Sequence, residues 1–132
     1  APEGTVLLMD YFAVCRAYRN SGYGSQCLAL MKTLWQNTRG ILAEVEDPAK
    51  SSSPEEEHTR TRRVAFYQRN GLRPTAVHSV LFGVPYILHY LPVAGECADE
   101  QIKEELDAIY RTLFPLPVYK AKAKITLLES EA

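Results

Sequence analysis

Thr5-Val-Leu-Leu-Met-Asp-Tyr-Phe-Ala-Val14 runs directly into Cys15-Arg-Ala-Tyr-Arg19-Asn-Ser-Gly22-Tyr-Gly24-Ser25. The first stretch is nearly continuously apolar and rich in β-branched and aromatic residues, which predicts a strand buried on both faces. Asp10 alone interrupts it, and a carboxylate there is costly unless it is paired or doing chemistry. The second stretch is a polar loop with two glycines two apart. It leads into a predicted helix over about 23–38, whose apolar face carries Cys27, Met31, Leu34 and Trp35, with Gly40 past its last turn. A short strand over 41–46 follows, closed by Asp47-Pro48. Strand, glycine loop, helix and strand make one crossover unit, so the two strands are predicted to be parallel.

Further along, Ser53-Pro54-Glu55-Glu56 supplies a capping box: Ser53 as N-cap, Pro54 at N1 and Glu56 at N3. That helix is predicted to reach Asn70 and stop at Gly71. Strands over 76–82 and 86–91, joined around Gly83-Val84-Pro85, read as an antiparallel hairpin. A last helix begins at Asp99 as its cap, with Ile102, Leu106, Ile109, Tyr110 and Leu113 as its apolar stripe, and ends at Pro115 and Pro117. The segment 119–132 alternates Lys with Ala and reads either as an edge strand or as a loose tail.

With 46% apolar and 23% charged residues over 132 positions, the chain has the balance of an ordinary globular domain. A disordered tail, a collagen-like fibre and a disulfide miniprotein are excluded. The 15 Lys+Arg against 16 Asp+Glu are spread evenly over both halves, which leaves no basic region to hold nucleic acid. Apolar runs are far shorter than the roughly 20 residues that cross a bilayer. Three cysteines, Cys15, Cys27 and Cys97, lack any paired spacing. They read as reduced thiols of a cytoplasmic protein, without a zinc site.

The loop from Arg19 to Ser25 is the first candidate site. Glycines let several N–H groups point at one spot, the following helix adds the positive end of its dipole, and Arg19 adds a full charge. Such a combination suits a pyrophosphate, although a turn needing positive φ explains Gly22 and Gly24 equally well. Position 27 is Cys, so the dinucleotide fingerprint is broken, and Gly-Lys-Ser/Thr is absent.

Arg-x-x-Gly-x-Gly after a buried strand resembles the acetyl-CoA loop of the GNAT superfamily of N-acetyltransferases. A second stretch, Ala65-Phe66-Tyr67-Gln68-Arg69-Asn70-Gly71-Leu72, resembles the family's other signature, an Ala/Phe-Tyr-x-x-x-Gly-Phe/Leu helix ending. The two motifs stand in the family's order with one strand between them, and the hairpin that follows matches the family's final pair of strands. The resemblance covers about 5–91. It implies a mixed α/β fold of the acyl-CoA N-acyltransferase type: a parallel strand pair with a crossover helix, then a helix and an antiparallel hairpin. It divides the chain into a partial acetyltransferase core over 1–92, with a loop at 47–53, and a C-terminal helical extension and tail over 93–132.

Carried onto this sequence, the resemblance implies that acetyl-CoA is the co-substrate and that no metal is needed. The backbone of Phe12, Ala13 and Val14 would pair with the pantetheine arm. Arg19, Asn20, Ser21, Gly22, Tyr23, Gly24 and Ser25 would hold the pyrophosphate. A main-chain N–H near Ala13 or Val14 would face the thioester carbonyl. Tyr67 would be the general acid that protonates the departing thiolate, with Phe66 beside it. The bland alternative for Tyr67 is a core aromatic with its hydroxyl at the rim.

Asp10, Glu44 and Glu46 are the candidates for the base that deprotonates the amine; period-two alternation puts Glu44 and Glu46 on one face. His78 and His89 are placed to line an acceptor pocket, although strand histidines are more often structural. Where the family carries Asn and Ala on the second-motif helix, this chain has Arg60 and Arg63. The extra positive charge of Arg60 and Arg63, with Arg62, is therefore a candidate partner of the cofactor's 3′-phosphate or of a neighbouring acid. The family's front strands and helices are expected to be missing, which would leave the first strand with an unpaired edge. The partners to expect are a small-molecule or peptide amine and a second copy or strand-completing chain, with no membrane and no nucleic acid. A catalytically incomplete CoA-binding or interaction module is the alternative to an acetyl transferase.

Overall fold

The computed structural model describes residues 6–9 and 39–128, and both the glycine loop and the helix predicted over 23–38 fall outside them. The strands are β1 (Val6–Met9), β2 (Gly40–Glu46), β3 (Arg73–Leu81), β4 (Val84–Pro92) and β5 (Ala123–Leu127). The helices are α1 (Pro54–Arg69), α2 (Asp99–Leu113) and the short α3 (Leu116–Lys122), with one 3-10 turn at Pro48–Lys50. The sheet runs β1-β2-β4-β3-β5. Its last four strands form an antiparallel ladder, and β1 lies parallel to β2 with Val6 beside Gly40 and Met9 beside Ala43. The fold is thus mixed α/β.

Alternation along β2 and β4 sends side chains to opposite faces. Leu42, Leu88 and Tyr90 join Val77, Cys97 and the α2 residues Ile102, Leu106 and Tyr110 in the larger core. Ile41, Ala43, Val45 and Leu91 join Leu72 on the other face, covered by Val64, Phe66 and Tyr67 of α1. The α2 stripe is narrower than predicted. Residues four apart are buried, while Leu113 is 60% exposed because the helix ends there and has turned it away from the sheet.

The start of α1 follows the capping pattern with one change. Ser53 Oγ accepts from Glu56 N at 3.1 Å, but the Glu56 carboxylate takes the Ser52 amide at 3.2 Å rather than that of the cap. The cap predicted at Asp99 is not formed. Ala98 holds that position without a side-chain bond, because the Asp99 carboxylate is taken by Arg73 at 3.0 Å and the Ala76 amide at 3.0 Å.

The β3–β4 connection starts one residue earlier and ends two residues earlier than predicted. Leu81 pairs with Val84, which leaves Phe82 and Gly83 as a two-residue turn with φ of 50° and 81°. Both positive values are what a twisted hairpin demands, and Phe82 meets the demand against its own steric preference. Its ring packs edge-on against Phe114, with centroids 5.5 Å apart. Upstream, β3 begins at Arg73 and changes register between Pro74 and His78. Pro74 has no amide to give the ladder. The carbonyl of Leu88 is answered instead by Thr75 Oγ1 at 2.7 Å.

Beyond Pro115 the chain forms α3 with proline in its first turn, then β5 as an edge strand against β3. The residues after 92 therefore supply a helix to one face of the sheet and a strand to its edge. At the other end, the Arg39 carbonyl is met by the amides of Val93, Ala94 and Gly95 at 3.0, 3.0 and 3.3 Å, and by the Tyr90 hydroxyl at 3.1 Å. The Tyr90 ring lies against Gly40 so closely that a Cβ there would come within 2.3 Å of it.

Candidate functional site

Of the candidate site residues singled out in the sequence, those that the structure describes lie on α1, on β2 and, for His78 and His89, on β3 and β4. Asp10, Phe12, Ala13, Val14, Arg19, Asn20, Ser21, Gly22, Tyr23, Gly24 and Ser25 lie outside the described residues, as do Cys15 and Cys27. Tyr67 sits in the last turns of α1, half-buried against the smaller core. Its ring meets Phe66 edge-on at 5.5 Å and lies 6.4 Å from the ring of His89. Burial pushes the Tyr67 phenol up to about 12, a rise that the nearby Arg63 guanidinium opposes. Phe66 also carries the Arg69 guanidinium over its face at 5.7 Å.

Glu46 is held by cations. Arg60 Nε lies 3.0 Å from one carboxylate oxygen, and Arg63 lies 3.7 Å from the other. Arg60 is only 8% exposed. It also reaches Glu56 at 2.8 Å and donates to the Asp47 carbonyl at 3.0 Å, which ties α1 to the end of β2. The acidic neighbour foreseen for these arginines is thus Glu46, and Arg60 is a structural clasp.

Glu44 and Glu46 do not share surroundings, contrary to simple alternation. Glu44 accepts from the Tyr110 hydroxyl at 2.8 Å, on the α2 side, while Glu46 turns to α1. The reason is that Glu46 ends the strand, where a long side chain is free to bend round the sheet toward a buried guanidinium. Ser79 Oγ lies 3.2 Å from the same Tyr110 hydroxyl. Burial pushes the Tyr110 phenol up, so at neutral pH it remains a donor to Glu44.

His89 is 1% exposed and faces α1, while His78 on β3 is half-buried and His58 is exposed on α1. His89 is therefore part of the packed interior rather than the wall of an open acceptor pocket. Among the described residues, no group of three or more His, Cys, Asp or Glu gathers as metal ligands. No described helix is long and apolar enough to cross a membrane.

Sequence reading missed two clusters that the fold assembles. One is Tyr110 with Glu44 and Ser79; its only sequence signal was a tyrosine within an apolar stripe, whose hydroxyl needs a partner. The other is Arg73, which reaches Glu96 at 3.2 Å, Asp99 at 3.0 Å and the Cys97 carbonyl at 2.7 Å, stapling the 93–98 loop to β3. Those partners are 23 to 26 residues away, beyond any local pattern. No protein-family model, curated protein or solved structure matches the chain.

Proposed function

We propose that the chain is the acetyl-CoA-binding portion of a GNAT-type N-acetyltransferase, in which an amine attacks the thioester directly. The observation that carries this reading is the pair of motifs, Arg19-x-x-Gly22-x-Gly24 and Ala65-Phe-Tyr67-x-x-x-Gly71-Leu72, in family order along the chain. A β1–β2 parallel pair, a helix ending at the second motif, and an antiparallel hairpin after it are in keeping with that order. A phenol carries its proton through the neutral range, and burial raises that of Tyr67 further, to about 12, so it can meet the leaving sulfur as a hydrogen-bond donor.

The same burial refines its role. Full transfer from a phenol near 12 to a thiolate near 8.5 is uphill by about 5 kcal/mol, so hydrogen-bond donation to the departing sulfur is the favoured contribution. One observation favours the second reading, a CoA-binding module without chemistry. Glu46 is occupied by Arg60 and Arg63, which suits it poorly as a base.

Calorimetric titration of the chain with acetyl-CoA, beside an Arg19→Glu variant, tests the cofactor site. Saturable binding that the variant loses is the expected outcome. No binding by a folded chain overturns both readings. Thioester consumption with an amine panel, reduced in Tyr67→Phe with CoA binding retained, then separates enzyme from binding module.

A further inference from the structure

His89 lies on the strand that is third of five, with Ala43 of β2 opposite it on one side and Pro74 of β3 on the other. Tyr67 of α1 covers it from above the sheet. Its Nδ1 is 3.2 Å from the Ile87 carbonyl. A carbonyl only accepts, so the proton resides on Nδ1 and Nε2 presents a lone pair. That Nε2 is buried and, among the described residues, has no hydrogen-bond partner.

Consider what a second proton would do there. An imidazolium needs an acceptor for each N–H, and a buried unpaired charge is strongly disfavoured. Among the described residues no side chain accepts from Nε2. Ala43 and Pro74 flank the ring, and Val64 and Phe66 of α1 pack on the same face of the sheet. The Tyr67 phenol oxygen is an acceptor by chemistry but makes no hydrogen bond to Nε2. Arg63 is a cation that acts on Tyr67, and no described carboxylate acts on the imidazole.

We propose that His89 is a pH-sensitive latch beneath α1: uptake of one solvent proton at Nε2 frees α1 from the sheet and uncovers the Tyr67 face. Burial holds the imidazole below its ordinary value in the closed form, and the opened form recovers an ordinary histidine. The opened form therefore binds more protons. Docking of α1 is complete above about pH 6.5 and weakens as pH falls below it, with the opening constant rising about tenfold per pH unit. The latch goes beyond the acetyl-transfer reading and needs no thioester chemistry.

Hydrogen exchange of the whole chain between pH 7.5 and 5.0, corrected for the intrinsic pH dependence of exchange, tests it. The window stays above ordinary carboxylate titration. The expected result is that 54–70 loses protection about tenfold per unit below pH 6.5 while 99–113 keeps its own. In His89→Gln that dependence disappears, and in His58→Gln and His78→Gln it persists. Constant protection of α1, a dependence that survives in His89→Gln, or joint loss over α1 and α2 overturns the latch. If His89→Gln does not fold, imidazole NMR of the unaltered chain decides. A ring that stays neutral until α1 opens supports the latch; a ring that titrates near 6.5 beneath a protected α1 overturns it.

Discussion

The two faces of the sheet solve the problem of buried polarity differently. On the α2 side, Leu42, Val77, Leu88, Ile102 and Leu106 surround two tyrosines whose hydroxyls are both engaged, Tyr90 to Gly95 O at 2.7 Å and Tyr110 to Glu44 at 2.8 Å. On the α1 side the apolar cluster is smaller, and beneath it lies His89, whose Nε2 has no hydrogen-bond partner among the described residues. Arg60 and Glu46 close that side with charge instead of hydrocarbon. The α2 face engages its buried hydroxyls, whereas the α1 face leaves one imidazole nitrogen, His89 Nε2, without a partner among the described residues.

The hardest way to break this contrast is to open the α2 face. Leu106→Ala removes a fully buried side chain from the centre of the larger core, with an expected loss of about 3–4 kcal/mol by denaturant unfolding. On the α1 face, Arg60→Ala strips partners from Glu46, Glu56 and the Asp47 carbonyl. Those carboxylates are about one-third exposed, so the expected loss is nearer 2 kcal/mol and falls mainly on α1 protection. The mildest test is Tyr110→Phe, which leaves the packing but removes the hydroxyl between Glu44 and Ser79. It is expected to cost about 1 kcal/mol by the same unfolding measurement. If Arg60→Ala cost more than Leu106→Ala, the charged face would be the dominant support and the comparison would have to be reversed.

What was legible in the sequence follows the range of the forces involved. The helix from Pro54 was readable because capping and periodicity act within a few residues, and the strand over 41–46 because its apolar run is bounded by Gly40 and Asp47. The turn was misread by one residue at its start and two at its end, since Gly83-Val84-Pro85 looks like a loop and a phenylalanine at positive φ does not announce itself. The short helix after Pro115 was hidden by its prolines, which end one helix and open the next with the same restricted φ. Of the candidate site, Tyr67 and its neighbour Phe66 were singled out by a motif that spans only a few residues. The arrest of Glu46 by Arg60 was not, because it depends on which way a strand-end side chain bends. Nor was the burial of His89, which is a consequence of strand order, β4 lying between β2 and β3.

The carbonyl of Arg39 deserves a use of its own. Three consecutive amides, 93 to 95, and one hydroxyl converge on a single oxygen at the entrance to β2. Signals from those amides are therefore coupled to one event, the seating of that strand beside β4. They form a built-in reporter, readable by NMR without ligand, substrate or activity. With it, any variant of this chain can first be asked whether its sheet is assembled, before the loss of a function is blamed on a site.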